Sequence, residues 1–200
     1  VEDKTPAVVK EILTSLGEGM AKPNTKRAVK LMMPSGTNDD GEPMDELNYR
    51  IPLEGGLDYE KNESCEAMTG IAYHACKSMK GLEGILRDGR VRALPYEEGN
   101  ANSGSGTHGF YARAWVEQDW SKAENQKKLR EMYRLATQSH CDTDLIVELR
   151  YWAVKIVINS AGEEHTKVKP GHCTRYKSGK IDRWCFHEDC ARIQALWITP

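Results

Sequence analysis

The sequence predicts an α+β fold, because many short segments carry the pattern of strands and only a few carry the pattern of helices. Apolar residues occupy every second position over residues 145–151 and again over residues 193–197, the period of a half-buried strand. Helical spacing occurs near the N-terminus, after Ser78 and after Ser121. The 200 residues suffice for one domain with an appendage, or at most two small domains.

The charge balance excludes one broad class of function. The chain carries 28 Lys and Arg against 30 Asp and Glu, so the whole molecule is not an electrostatic binder of nucleic acid. It has no apolar run long enough to span a bilayer and no N-terminal signal pattern, and we expect a cytoplasmic protein, or a virion-associated one if the source is viral. Because the sequence starts at Val1, we also expect a processed or excised piece of a longer polypeptide.

The N-terminal region predicts two helices. The apolar residues of the first share one face and end at Gly17; they are Val8, Val9, Ile12, Leu13 and Leu16. Asn24 is a residue type that caps helices, and we expect a second helix to run from it through Val29 to Pro34.

An acidic, breaker-rich arm follows these helices. Residues 37–66 contain ten acidic residues against Arg50 and Lys61. An irregular segment of this length is normally ordered by packing, either on its own domain or on a neighbouring subunit. We therefore expect residues 1–66 to form an N-terminal helical and extended arm and residues 67–200 to form the main domain. The acidic part of the arm, residues 37–66, would pack on its own domain or contact a protein partner or a larger assembly.

The most informative stretch runs from residue 70 to residue 112. Ile71 and Tyr73 alternate with Ala72 and His74, which predicts a strand with His74 on the face opposite Tyr73. A helix follows, with Ser78 as its cap, Gly89 as its left-handed stop and one apolar face formed by Met79, Leu82, Ile85 and Leu86. The loop over residues 99–109 has four glycines, which allow close approach to a ligand. Together these features predict a nucleotide site.

Downstream, residues 121–136 predict a charged helix packed on the sheet, and residues 145–158 and 192–198 predict strands. A cluster of potential zinc ligands lies between them: Cys173, Cys185, His187 and Cys190, with His172 beside the first. Their spacing lacks the two tight pairs of a zinc hairpin, so we expect free buried thiols rather than a metal site. We expect no disulfides.

The order of the motifs resembles that of the ADP-ribosyltransferase superfamily, which includes poly-ADP-ribose polymerases and many toxins. The resemblance rests on Tyr73-His74 before a small residue, on Ile85-Leu86-x-x-Gly89, and on the run from Gly109 through Phe110 and Tyr111 to Ala112. It implies split antiparallel sheets over about residues 70–200 and NAD as the cofactor. One difference is Ala75-Cys76, where the family has Gly followed by Thr or Ser.

The resemblance also implies roles for single residues. His74 matches the histidine that hydrogen-bonds the adenosine-side ribose, and Tyr111 matches a tyrosine beside the nicotinamide. Trp120 lies near the place of a second stacking aromatic. The family's late glutamate, which stabilises the charge that develops on the ribose, has no counterpart near Asp182, Arg183 and Trp184, so Asp182 or the later Glu188 would have to act as the acidic catalytic residue. Glu148 lies in an earlier strand.

Two functions follow from these observations. In the first, the chain is an enzyme that binds NAD and transfers ADP-ribose through the residues named above. In the second, the fold persists without efficient chemistry, as a structural or interaction module of a larger assembly such as a viral capsid-associated surface. The missing glutamate and the acidic arm favour the second, since losing such an electrostatic partner costs a factor of about a hundred to a thousand in rate. His74 and Tyr111 favour the first, although either could instead be an ordinary strand residue.

Overall fold

A computed structural model describes residues 6–56, 68–76, 78–92, 109–116, 122–138, 145–153, 155–160, 172–178 and 181–200. The helices within these residues are α1 (Ala7–Ser15), α2 (Met79–Asp88) and α3 (Ala123–Thr137). The strands are β1 (Lys22–Pro23), β2 (Val29–Thr37), β3 (Pro43–Glu54), β4 (Met68–Ala75), β5 (Gly109–Val116), β6 (Leu145–Ala153), β7 (Lys155–Ser160), β8 (His172–Ser178), β9 (Ile181–His187) and β10 (Ala191–Ile198). The α+β class is therefore confirmed. None of the described helices is long and apolar enough to cross a membrane.

The strands form one continuous path in the order β1-β3-β10-β6-β4-β5-β9-β8-β7, and β2 pairs with β3 beside β1. Neighbouring strands are antiparallel apart from β7 and β8, which are parallel. The last strand, β10, lies in the middle of the path between β3 and β6. The N-terminal and C-terminal parts of the chain are thus joined by backbone pairing.

The N-terminal region corrects one prediction. The first helix is confirmed as α1, and Gly17 has the left-handed φ of 69° just beyond it. The second helix is wrong, because Asn24 precedes only a 3-10 turn over Thr25–Arg27, and the chain then becomes β2. Tertiary pairing explains the difference, since the backbone of β2 bonds to β3 instead of to itself.

The acidic arm is part of the sheet as far as the structure describes it. Strand β3 lies within it and pairs with β10 through Tyr49 to Pro52, so this part of the arm packs on its own domain. The expected boundary at residue 66 lies outside the described residues.

Helix α2 begins and ends as its sequence predicts. The Ser78 hydroxyl oxygen accepts a hydrogen bond from the Gly81 backbone N–H at 3.1 Å, and Gly89 closes the helix with φ 71°. Its buried face consists of Leu82, Ile85 and Leu86. Helix α3 likewise confirms the helix predicted after Ser121.

The sheet folds across β5. This strand pairs with β4 through residues 113–116 and with β9 through residues 109–112. The rings of Tyr151 on β6 and Phe186 on β9 lie 4.8 Å apart, although a flat sheet would separate strands three places apart by about 14 Å. One sheet face is therefore enclosed, and it holds the main core, which includes Ala72, Phe110, Val147, Leu149, Trp184 and Ile193. We call this the inner face.

Helix α3 covers the other face, which we call the helix face. Its core centres on Tyr73, Tyr133 and Trp197, whose rings contact one another edge-on or tilted. The Tyr133 hydroxyl donates to Oδ1 of the buried Asn48 at 2.7 Å, and Thr199 donates to the same oxygen at 2.8 Å. The buried amide oxygen of Asn48 thus accepts from two hydroxyl groups.

Two of the buried tyrosines, Tyr133 and Tyr151, provide a matched test of this packing. The Tyr151 hydroxyl is buried and has no hydrogen-bond partner in the described part of the chain. We predict that Tyr133→Phe lowers the free energy of unfolding by about 1 kcal/mol, because the buried amide oxygen of Asn48 loses a donor. Tyr151→Phe should leave the free energy of unfolding unchanged or raise it by up to about 1 kcal/mol. Urea denaturation of the two variants beside the wild type measures both values, and equal losses would contradict the assignment of partners.

Candidate functional site

His74 and Tyr111 lie on neighbouring strands, as predicted. The β4–β5 ladder ends at the pair of Tyr73 and Arg113. One residue further along β4, the His74 ring reaches across the gap, and its Nδ1 lies 2.7 Å from the Tyr111 backbone oxygen. The side chain of His74 therefore takes the place of a backbone donor where the two strands separate.

This contact fixes the hydrogen on the His74 ring. A carbonyl oxygen only accepts, so Nδ1 carries the hydrogen and donates it to Tyr111. Burial lowers the pKa of His74 below its ordinary value of 6.5, and it outweighs the opposite effect of the Tyr111 bond. The ring is therefore neutral at neutral pH. Its Nε2 is a hydrogen-bond acceptor, and none of the described residues donates to it.

His74 points to the inner face, opposite Tyr73, as the alternation predicted. Its ring meets Phe110 edge-on at a centroid distance of 5.8 Å, and Phe110 belongs to the main core. Tyr111 follows Phe110 in the same strand, so its side chain points to the helix face. The structure thus brings together the imidazole of His74 and the backbone of Tyr111, whereas their side chains lie on opposite faces of the sheet.

The other predicted site residues lie on later elements of the chain or outside the described residues. Asp182 lies in β9, opposite Lys177 of β8 in the register. Glu188 is partly buried and opens a 3-10 turn, Glu188–Cys190, that links β9 to β10. Trp120 and residues 99–108 of the glycine-rich loop lie outside the described residues.

A buried carboxylate that the sequence analysis did not place in a network lies on the helix face. Glu148 is 4% exposed, and its register partner is Tyr73, so it lies on the face opposite His74. Arg50 grips it with two hydrogen bonds, Nε to Oε2 at 2.8 Å and a terminal nitrogen to Oε1 at 2.7 Å. The indole N–H of Trp197 donates to Oε2 at 2.8 Å. The signal was present in the sequence, since a glutamate in an apolar strand needs a partner.

The Glu148 network is electrically closed. The hydrogen bond to Glu148 is the main cause of a raised pKa at Arg50. The pKa of Tyr73 is raised well above its usual value by burial, and the Glu148 charge adds to the effect. Both carboxylate oxygens of Glu148 already accept hydrogen bonds, and the sheet separates this side chain from His74. Glu148 therefore cannot contact a ligand that binds beside His74.

The described cysteines are buried and form no disulfide with one another; they are Cys76, Cys173, Cys185 and Cys190. Burial is the main cause of a raised pKa at Cys173, and its neighbours Cys185 and Cys190 add to it, so this thiol is not a nucleophile at neutral pH. No group of three or more His, Cys, Asp or Glu side chains in the described ranges is arranged to hold a metal ion.

A second histidine contacts a carboxylate near β5. The Nδ1 of His187 lies 2.5 Å from Oδ1 of Asp189, and the Cys190 thiol donates to the same oxygen at 3.4 Å. The carboxylate, and not the imidazole, is thus the acceptor of the thiol hydrogen. A cysteine nucleophile activated by histidine requires the imidazole in that position.

Comparison with known proteins finds no family model and no curated protein that matches this chain.

The Glu148 network allows a test of the energetic coupling between Arg50 and Glu148. We predict that Arg50→Met lowers the free energy of unfolding by about 3 kcal/mol, because it leaves a buried carboxylate without its cation. The double variant Arg50→Met, Glu148→Gln should be more stable than this single variant, since a neutral amide needs no cation and still accepts from Trp197. Urea denaturation measures both. Measuring Glu148→Gln as well completes the cycle, and losses of the two single variants that simply add in the double would show that the two side chains are not coupled.

Proposed function

We propose that this chain is a divergent ADP-ribosyltransferase-like domain that binds a nucleotide of the NAD type at His74 without efficient transfer of ADP-ribose. The observation that carries the proposal is the state of the His74 ring. Its Nδ1–H is committed to Tyr111, and its Nε2 is left as a neutral acceptor. Such an atom suits a ribose hydroxyl, which donates its hydrogen to a lone pair.

The position of His74 in the fold supports the same proposal. The ring is partly buried on the inner face, at the place where β4 and β5 separate. A ligand held there would contact Phe110 on one side. The first residue of β5, Gly109, is also the last residue of the glycine-rich loop. Ligand sites are commonly apolar clefts with a few fixed polar groups, and His74 is such a polar group.

The distribution of carboxylates argues for weak chemistry. Departure of nicotinamide builds positive charge on a ribose, and a preorganised carboxylate is the usual means of stabilising it. Among the side chains whose burial the structure describes, the one buried carboxylate is that of Glu148, and it is held by Arg50 and Trp197 on the opposite face. Asp182 and Glu188 remain the acidic candidates that our proposal assigns to any residual activity.

Thermal unfolding with and without NAD tests the binding. A ligand that binds only the folded state raises its stability, and about 1 kcal/mol corresponds to a shift of about 2–4 °C for a chain of this size. We predict a shift of that order at millimolar NAD for the wild type and none for His74→Ala. His187→Ala is the matched control, because His187 lies on β9 instead of β4 and its ring contacts Asp189. This variant should retain the shift in melting temperature.

Turnover is measured separately, by incubation with labelled NAD. We expect no robust cleavage or label transfer by the wild type. Robust turnover that Asp182→Asn or Glu188→Gln abolishes would contradict the binding-only proposal and identify the acidic residue. A wild type whose melting temperature NAD does not change would contradict the nucleotide proposal itself.

A further inference from the structure

The hairpin of β2 and β3 extends beyond the rest of the sheet. Strand β3 begins at Pro43, but β10 pairs with it only from Tyr49 to Pro52. Thr199, the residue after β10, still bonds to the Asn48 side chain. The residues of β3 before Asn48 pair with β2 alone, so the hairpin continues for about 17 Å past Asn48. We call residues 34–48 the hairpin arm.

The hairpin arm is held in a defined shape. At its turn, Oδ1 of Asn38 accepts from the backbone N–H groups of Asp40 and Glu42, at 3.1 and 2.7 Å, and Gly41 supplies a φ of 79°. Arg130 of α3 donates to Oδ2 of Asp45 at 2.8 Å. The arm is therefore braced at both ends.

The outer edge of β2 is closed to a further strand. Arg130 donates to the Met32 backbone oxygen at 2.7 Å, which shows that this carbonyl points away from β3. Because alternate residues of an antiparallel strand face the same edge, Lys30 and Pro34 share that edge with Met32. The carbonyl of Met32 is thus occupied, and Pro34 has no N–H to offer. Both are ways in which proteins protect an edge.

The opposite edge of the hairpin arm is open. Leu47 is the register partner of Met32, so its backbone N–H and C=O also point away from the paired strand, and those of Asp45 point the same way. No strand in the described ranges pairs with these groups. Met44 beside them is 42% exposed. An edge with free donors, free acceptors and an exposed apolar side chain is a template for an added strand.

Charge selects the kind of strand that fits. Residues 31–49 contain five acidic residues and no Lys or Arg. The three at the turn, Asp39, Asp40 and Glu42, make no ion pair with any described residue. A second copy of this chain would place these carboxylates close to identical carboxylates, which repel one another. The phosphates of a nucleic acid would be repelled in the same way. A basic segment is attracted by these carboxylates instead.

We propose that the open edge of β3 at Asp45 and Leu47 is a docking site for an extended, basic segment of a partner protein, which adds to the sheet as a strand. Backbone hydrogen bonds supply the attachment, and the carboxylates of the hairpin arm select lysine and arginine side chains. The proposal is independent of nucleotide binding at His74, which lies on β4.

The test uses synthetic peptides as probes, and fluorescence anisotropy measures their binding to the full chain. A short labelled peptide that alternates Lys and Val is the strand-forming basic probe. A Lys-Val peptide of the same length whose backbone nitrogens are all methylated keeps the charge but cannot donate strand hydrogen bonds, and a peptide that alternates Glu and Val reverses the charge. We expect the Lys-Val peptide to bind, more weakly at high salt, and the other two to bind at least about tenfold more weakly.

Two variants at Asp45 separate the backbone from the charge. Asp45→Asn keeps the N–H and removes the carboxylate, whereas Asp45→Pro removes both; the ion pair with Arg130 is lost equally in the two. Proline is tolerated where the N–H faces away from the paired strand, and circular dichroism confirms that each variant is folded. Asp45→Pro should bind the Lys-Val peptide about tenfold more weakly than Asp45→Asn does.

Three outcomes would overturn the proposal. Equal binding of the Lys-Val peptide and its N-methylated form would show attraction by charge alone. Absence of Lys-Val binding would show that the edge accepts no strand of this chemistry. Dimers of the chain in analytical ultracentrifugation that Asp45→Pro dissociates would show that a second copy occupies the edge.

Discussion

Strand β5 changes its pairing partner halfway along its length, and this change constrains the rest of the structure. Its second half pairs with β4 and its first half with β9. Where β4 departs, the Tyr111 carbonyl would lose its partner, and His74 supplies the missing donor. The same bend allows Tyr151 and Phe186 to pack across the enclosed face. One hydrogen bond thus secures the corner and fixes the His74 tautomer.

The two sheet faces carry different electrostatics. On the helix face the charge of Glu148 is matched by Arg50 and a third donor, an arrangement that stabilises the native packing but leaves the carboxylate no free oxygen. On the inner face, His74 is a neutral polar group beside apolar neighbours. A neutral acceptor can hold a hydroxyl without paying for a buried charge, but it cannot stabilise a developing cation as a carboxylate does.

The sequence predicts the elements that depend on local signals and misses those that depend on distant partners. Helix α2 follows from its serine cap, its apolar face and Gly89, all of which act within a few residues. Strand β2 could not be told from a helix, because its backbone partners lie in β3. For the site, alternation placed His74 opposite Tyr73, but the grip of Arg50 on Glu148 joins residues 98 positions apart, and no local pattern records that distance.

The most direct test of this account is nitrogen NMR of the His74 ring across a pH titration, with assignment by comparison with His74→Gln. The account requires Nδ1 to carry the hydrogen and Nε2 to be bare at neutral pH, with a pKa below 6.5. Because burial disfavours the charged ring, protonation should begin only as the pH falls below that value. A ring with its hydrogen on Nε2, or one already charged at pH 7, would contradict both the corner hydrogen bond and the proposed acceptor.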